Sequence, residues 1–324
     1  MSDRNMQLGG QAVIEGVMMR SHDTISVAVR RQNGSIYVRK LPFVSFVKRF
    51  KVFSLPVLRG AVVLIESLVL GVKALAFSGD VAMEDEKTKE AKDNQEQKAP
   101  SPRGLISKLW FGATVLFSLV LGLFIFFYVP LILTDLLGAS SGVKFNLVDG
   151  IIRLAIFLLY LGLITMIKDI RRIFEYHGAE HKSIHAFENK RRLIPSEAQL
   201  FSRFHPRCGT SFLLMVMIVS ILVFMFLGKP HDLGDRLFRL AFIPLIGGLS
   251  YEMIRLSDKG LNRSFWKALI LPGLWLQKLT TKEPDESQLE VAIIAVKCAL
   301  GEDVSEHEGV VLEGQEFSQV EVMS

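Results

Sequence analysis

Uncharged apolar runs divide this chain. Residues 109–134 carry no charged side chain over 26 positions, more than the roughly 20 that a helix needs to cross a bilayer. Between Arg207 and Lys229 lie 21 uncharged residues, and between Arg153 and Lys168 lie 14. The shorter run becomes long enough if Arg153 snorkels to the outer surface and the helix begins near Val148. A fourth run, residues 238–256, is interrupted by Pro244, Gly247-Gly248 and Glu252 and reads as a kinked or partly re-entrant span. The pattern predicts a mainly α, polytopic helical membrane protein with about four spans and excludes a wholly soluble one.

Other stretches predict smaller elements. Residues 57–78 place Arg59, Glu66 and Lys73 seven apart in an apolar run. Seven is close to two helical turns, so the charges form one stripe on a juxtamembrane amphipathic helix, lying in the interface or packed on the bundle. Residues 24–31 and 35–40 flank Asn33-Gly34, a β-hairpin signal. Residues 79–104 are charged and poor in large apolar residues, as in a flexible linker. After the last span, FWKALILPGLWLQ (265–277) suits an interface, with Pro272-Gly273 as a break; residues 286–300 have helical periodicity, and the final tail reads as disordered. The expected organisation is an N-terminal region with the hairpin (1–56), the interfacial helix (57–78), the linker (79–104), a four-span domain carrying a His-rich segment at 175–210 (105–256), and a C-terminal interfacial and cytoplasmic region (257–324).

Charge then orients the spans. Of the 38 Lys and Arg in the 324 residues, 17 fall in residues 1–108 and nine in 168–210, whereas 135–150 holds only Lys144. Short cationic loops face the cytoplasm, so both termini and the long middle loop are expected there, in a bacterial cytoplasmic membrane. A fifth span at 57–78 would put nine of the early cations outside. The net charge of +5 is thus a topology signal; no basic block is interleaved with aromatics, which excludes nucleic acid as a partner. Two cysteines, Cys208 and Cys298, build no disulfide framework, and the opening MSDRNMQLGG has no apolar core of a signal peptide.

The chemistry is concentrated in EYHGAEHKSIHAFEN, residues 175–189. At about 100° per residue, His177, Glu180, His181, Ile184, His185 and Glu188 share an arc of roughly 140°. His177-Gly178-Ala179-Glu180-His181 has the H-x-x-E-H order, in which two histidines bind zinc and the glutamate acts on water. HPRCGTS (205–211) adds His205 and Cys208 near the amino end of the next span, where Pro206 suits a first helical turn. Cys208 is open to three readings: a ligand, a redox-sensitive thiol or a packed residue. At the same edge, Glu252 and Arg255 are candidates for supporting the site or holding substrate, although the simplest reading of Glu252 is an ordinary ion pair with Arg255 or a neighbouring cation. Glu15, among the glycines of GGQAVIEGVMMR, marks a tight backbone near a site.

Together QAVIEGVMMR, HGAEHKSIHAFE, HPRCGTSFL, SYEMIRLS and PGLWLQKLTT resemble the bacterial YqhQ-like membrane family, a domain of unknown function described as predicted metal-dependent enzymes. The resemblance runs from about Gly9 to Leu300. It marks Glu15, His177, Glu180, His181, His185, His205, Cys208, Glu252 and Arg255 as positions within family motifs.

The leading expectation is a membrane-embedded, zinc-dependent hydrolase at the cytoplasmic interface. His177 and His181 bind a divalent metal, with His185, His205 or Cys208 completing the set; Glu180 is the general base and Glu188 a supporting residue. Sulfur favours zinc over magnesium. The expected partners are membrane lipid and a lipid-linked or membrane-near substrate. A multi-histidine di-iron oxidase needs about eight histidines, and only seven exist here. The alternative is a non-enzymatic, metal-stabilised scaffold or transport-related protein.

Overall fold

The computed structural model describes residues 8–94, 105–139, 141–259 and 264–313. Turn chemistry at Asn33-Gly34 produces the expected hairpin: Gly34 adopts φ +90, and the strands β3 (Thr24–Arg30) and β4 (Ile36–Pro42) pair antiparallel from Arg30↔Ile36 to Thr24↔Pro42. Two strands that the sequence pattern does not predict precede it, β1 (Gly9–Val13) and β2 (Gly16–Arg20). A short fifth strand, β5 (Val310–Leu312), adds in parallel to β4, giving the order β1-β2-β3-β4-β5.

This sheet is covered on both faces, which removes the alternation that would have announced β2. On one face Val17, Met19, Ala28 and Val38 pack with the long helix α6 (Lys168–Glu188) and with α12 (Glu286–Ala299). On the other, Met18, Val27 and Val29 meet Ala74, Phe77 and Val81 of α2 (Leu58–Asn94). Helix α12 is buried from Val291 to Val296, apolar all round as a central helix must be. Asp285 caps it in a reciprocal pair with Gln288.

Helix α2 differs from the expected interfacial helix and linker. It continues unbroken through residues 79–94, because Glu, Lys and Ala favour helix and because Glu84 and Asp85 pair with Arg31 at 3.1 and 3.2 Å. Residues 95–104 of the expected linker, and the tail from 314, lie outside the described residues. The charge stripe faces protein for two of its three members. Arg59 donates to Glu252 at 2.6 Å, and buried Glu66 accepts from Ser45 Oγ at 2.9 Å and Phe46 N–H at 2.6 Å. Leu58, Ile65, Leu68, Val72 and Leu75 form an exposed apolar stripe on the other side.

Short α1 (Phe46–Arg49) links β4 to α2. Beyond α2 the bundle comprises α3 (Leu105–Leu123), α4 (Val129–Leu136), α5 (Gly142–Ile164), α8 (Gly209–Leu227), α9 (Leu233–Leu240), α10 (Ile243–Lys259) and α11 (Ser264–Thr280), while α7 (Pro195–Gln199) follows α6. A π-turn, Phe124–Tyr128, joins α3 to α4, since Pro130 lacks the N–H that a regular α-helix would use. Among the described residues five segments are long and apolar enough to cross a membrane: Leu58–Lys89, Gly112–Leu136, Gly142–Ile164, Gly209–Leu227 and Leu233–Ser257. The last is kinked as expected, with α9 ending and α10 beginning around Ala241–Phe242. The break expected at Pro272-Gly273 is absent; α11 runs through it, held along α8 by Gln277, which donates to Ser211 Oγ at 3.1 Å.

Arg153 also departs from expectation. Helix α5 starts at Gly142, early enough to span without snorkelling. Arg153 is instead turned inward, donating to Asp149 Oδ2 at 2.7 Å over the rings of Phe127 and Phe224. An acid one turn earlier neutralises the guanidinium inside the bundle. Arg239, 2% exposed, completes this polar layer by donating to Asn146 Oδ1 at 2.8 Å.

Candidate metal centre

The face of α6 predicted to carry His177, Glu180, His181, His185 and Glu188 is turned toward the segment between α7 and α8 and toward the end of α11, with Glu188 at its exposed end. Its local sequence permits the approach. A Cβ on Gly178 would stand 2.0 Å from Lys282 O, so only glycine lets the chain after α11 lie this close, where Lys282 N–H donates to Phe174 O at 2.8 Å. That contact brings Thr280 O to 2.8 Å from His177 Nδ1. Four residues on, His181 Nδ1 lies 2.6 Å from Arg203 O. Each ring therefore donates its Nδ1–H to a backbone carbonyl, which fixes the tautomer and leaves the Nε2 lone pair free to bind.

Both Nε2 atoms turn toward Cys208. His177 Nε2 lies 3.2 Å from Cys208 Sγ, and His181 Nε2 is buried with no hydrogen-bond partner. Ligands about 2.0–2.3 Å from a tetrahedral ion stand roughly 3.3–3.8 Å apart; one donor atom from each of His177, His181 and Cys208 lies within 4.8 Å of the others. These three could hold a metal ion after small side-chain rotations. The His181 nitrogen is what makes them fit: its buried Nε2 has no well-formed hydrogen bond and faces the Cys208 thiol, and such a buried lone pair is costly unless a cation meets it. Cys208 is the N-cap of α8, its Sγ accepting from Thr210 N–H; Pro206 lies in the turn before the helix, not in its first turn. Burial pushes the Cys208 thiol up, but His181 and Thr210 outweigh it and leave it below its ordinary value. Burial holds His181 below the usual imidazole value, against the opposing effect of Cys208.

Glu180 sits beside this group, 5% exposed, with Oε2 unpartnered. Burial pushes its carboxyl up to about 8, countered by His177 and by the Gly10 N–H. Strand β1 lies directly over it: a Cβ on Gly10 would be 2.8 Å from Glu180 Cδ. Gly10, the second of the two glycines that open the sheet, therefore shapes the wall of the site.

The remaining candidates separate. His185, Glu188 and His205 form a second group of three, their donor atoms within 4.8 Å of one another. His185 and His205 therefore do not complete the first group; Cys208 does, because the α8 N-terminus comes from the side that faces His177 and His181. His205 is 4% exposed and clamped by Gln277, whose Oε1 accepts its N–H at 2.8 Å and whose Nε2 donates to its carbonyl at 2.7 Å. Burial lowers the His185 pKa. Glu15, Glu252 and Arg255 are not brought into either group. Glu15 occupies the β1–β2 turn with φ +52 and accepts from Arg172 Nη2 at 2.7 Å; Glu252 is held by Arg59; Arg255 is exposed. The sequence reading missed Gln277 and the carbonyls of Thr280, Arg203 and Phe204. Gln277 lay within PGLWLQKLTT without a role, and a carbonyl has no residue-type signature.

Residues 55–302 match a family described as a protein of unknown function, DUF1385. The chain belongs to that family. The matched stretch takes in α6, α8 and α11, and with them every residue of the two groups, while Gly10 and the first four strands precede it. The chain is also 37% identical over 287 residues to the uncharacterized protein YqhQ of Bacillus subtilis (strain 168), covering 88% of this chain and 89% of that one. No solved structure matches the chain.

Proposed function

We propose that this protein is a membrane-embedded, metal-dependent hydrolase of the bacterial cytoplasmic membrane, its site at the cytoplasmic interface and its substrate lipid-linked or membrane-near. The observation that carries the reading is the convergence of His177 Nε2, His181 Nε2 and Cys208 Sγ with a buried, half-unpartnered carboxylate, Glu180, alongside. A divalent ion held there, zinc by the nature of its sulfur and imidazole donors, would supply Lewis acidity to a carbonyl or phosphoryl oxygen. Glu180 would take the proton of the attacking water, and a neighbouring divalent charge favours the carboxylate form that this needs. The Nδ1–H bonds to Thr280 and Arg203 hold the two rings in place. Cys208 capping a candidate span supports a substrate at membrane depth, and the cationic loops support the cytoplasmic side.

Zinc content and cellular function of Glu180→Gln test this. The expected outcome is retained metal with activity lowered about 10²–10⁴-fold, the scale of a lost general base. Full function with retained metal would overturn the hydrolase reading and favour a closed structural site, a second reading supported by the deep burial of His181 and Cys208, 1% and 6% exposed. Absence of stoichiometric metal in the purified protein would remove both.

A further inference from the structure

We infer that His185, Glu188 and His205 form a second divalent-cation site beside the His177–His181–Cys208 group, so that the centre takes two cations. Whether the second cation takes part in turnover rests on the hydrolase reading; its binding does not. The donors are two imidazoles and a carboxylate on one helix turn and the facing segment, mutually within 4.8 Å. His185 donates Nε2–H to Phe204 O at 2.9 Å, leaving the Nδ1 lone pair for a ligand bond. Glu188 is shared by its two oxygens: Oε1 is paired with the Arg207 guanidinium, while Oε2 faces His205 Nε2 at 3.4 Å. An arginine on one oxygen orients the other, as an outer partner does for a ligating carboxylate.

His205 is fixed by Gln277 on both sides of its backbone. Its Nδ1 accepts the Arg207 N–H at 3.3 Å, so coordination through Nε2 moves the ring proton to Nδ1 and gives up both this long bond and the 3.4 Å bond from Nε2–H to Glu188 Oε2 against three coordinate bonds. The His185 and His205 ring centroids are 4.7 Å apart, and those of His181 and His205 are 5.6 Å apart. The two groups are thus neighbours, and two rings so close are unlike a solvated pair of histidines. Donor chemistry makes the sites unequal: the sulfur-bearing one is the softer, and the nitrogen and oxygen site accepts harder ions of the manganese, iron or cobalt kind as well as zinc.

The test uses the full-length protein in detergent, stripped with chelator, reloaded with Zn²⁺ or Co²⁺ and desalted. The expected content is two ions per chain, falling to one in His185→Ala and in the conservative Glu188→Gln. In the Co²⁺ form those variants keep the thiolate-to-cobalt absorption band that Cys208→Ser removes. One ion per chain, lost in Cys208→Ser and unaffected by His185→Ala or Glu188→Gln, would overturn the second site while leaving the first. One ion lost in His185→Ala but kept in Cys208→Ser would do the reverse. Thermal unfolding of each variant separates loss of a ligand from loss of the fold, and no bound ion in the folded wild type would overturn both.

Discussion

His177 and His181 each give one ring nitrogen to a main-chain carbonyl, and that decides what the other nitrogen can do. The carbonyls of Thr280 and Arg203 come from segments more than 20 residues away; the segment that carries Thr280 comes this close because Gly178 has no side chain. Gly178→Ala places a methyl 2.0 Å from Lys282 O, so the segment must retreat and Thr280 O must leave His177. The expected result is a loss of about 1–3 kcal/mol of stability, the range for overpacking, together with weaker zinc retention. Thermal unfolding and metal analysis check it, and an unchanged variant on both counts would contradict the close approach. The histidine string was legible because ligand residue types at helical spacing are conspicuous. The division into two groups was not, since spacing along α6 places five donors on one face without saying which of them meets Cys208 and which meets His205.

Among the elements, α12 shows how a short cap and a full burial cooperate. Asp285 accepts from Gln288 N–H at 2.8 Å and Ser287 Oγ at 2.6 Å. Burial pushes its pKa up, but these bonds and Arg172 outweigh it, so the folded value lies below 3.8. A depressed carboxylate contributes stability that is fully present above the unfolded value and is lost as pH falls through the folded one. Protection of α12 amides in hydrogen exchange is therefore expected to fall below about pH 3.8. Asp285→Asn should keep the cap and lose that pH dependence, whereas Asp285→Ala should cost about 1 kcal/mol at neutral pH. The helix itself was visible from its periodicity. Strand β2 was not, because a strand covered on both faces carries no alternation; β1 was not, because GGQAV is short and glycine-rich, with little strand propensity; and the charged end of α2 has no helical partner visible without Arg31 beside it.

At the scale of the molecule, pairing restricts topology. Strands β4 and β5 are hydrogen-bonded partners, so the chain between them crosses a bilayer an even number of times. The five candidate spans among the described residues are an odd number, so either one of them stays on one side or a further segment crosses. The expected arrangement is four crossings with α2 held on one side, because its length from Glu66 to Asp85 lies along residues of the sheet and its flanks. Cysteines introduced by Asn33→Cys and Ser305→Cys should react with an impermeant reagent from one side, and Ser141→Cys from the other, with Cys208 and Cys298 silent because they are buried. Labelling of Asn33→Cys and Ser305→Cys from opposite sides would refute the pairing. Inside the bundle, Arg153→Leu leaves the Asp149 carboxylate, 2% exposed, without its partner. A loss of about 3–5 kcal/mol is expected, as for a broken buried ion pair, and most of it should return in the double variant with Asp149→Leu, measured by unfolding in detergent.

The sequence by itself determined the membrane class, the hairpin at Asn33-Gly34 and the ligand-bearing face of α6. Each is written in local spacing: run length, turn residues, or one donor per helical turn. Tertiary structure alone decided that Cys208 joins His177 and His181, that Glu188 joins His185 and His205, and that Gly10 covers Glu180. It also decided that Glu252 and Arg153 are occupied by Arg59 and Asp149. These pairings depend on which backbone segments pack close enough to touch, and that distance is set by the covered sheet and the buried helices around it.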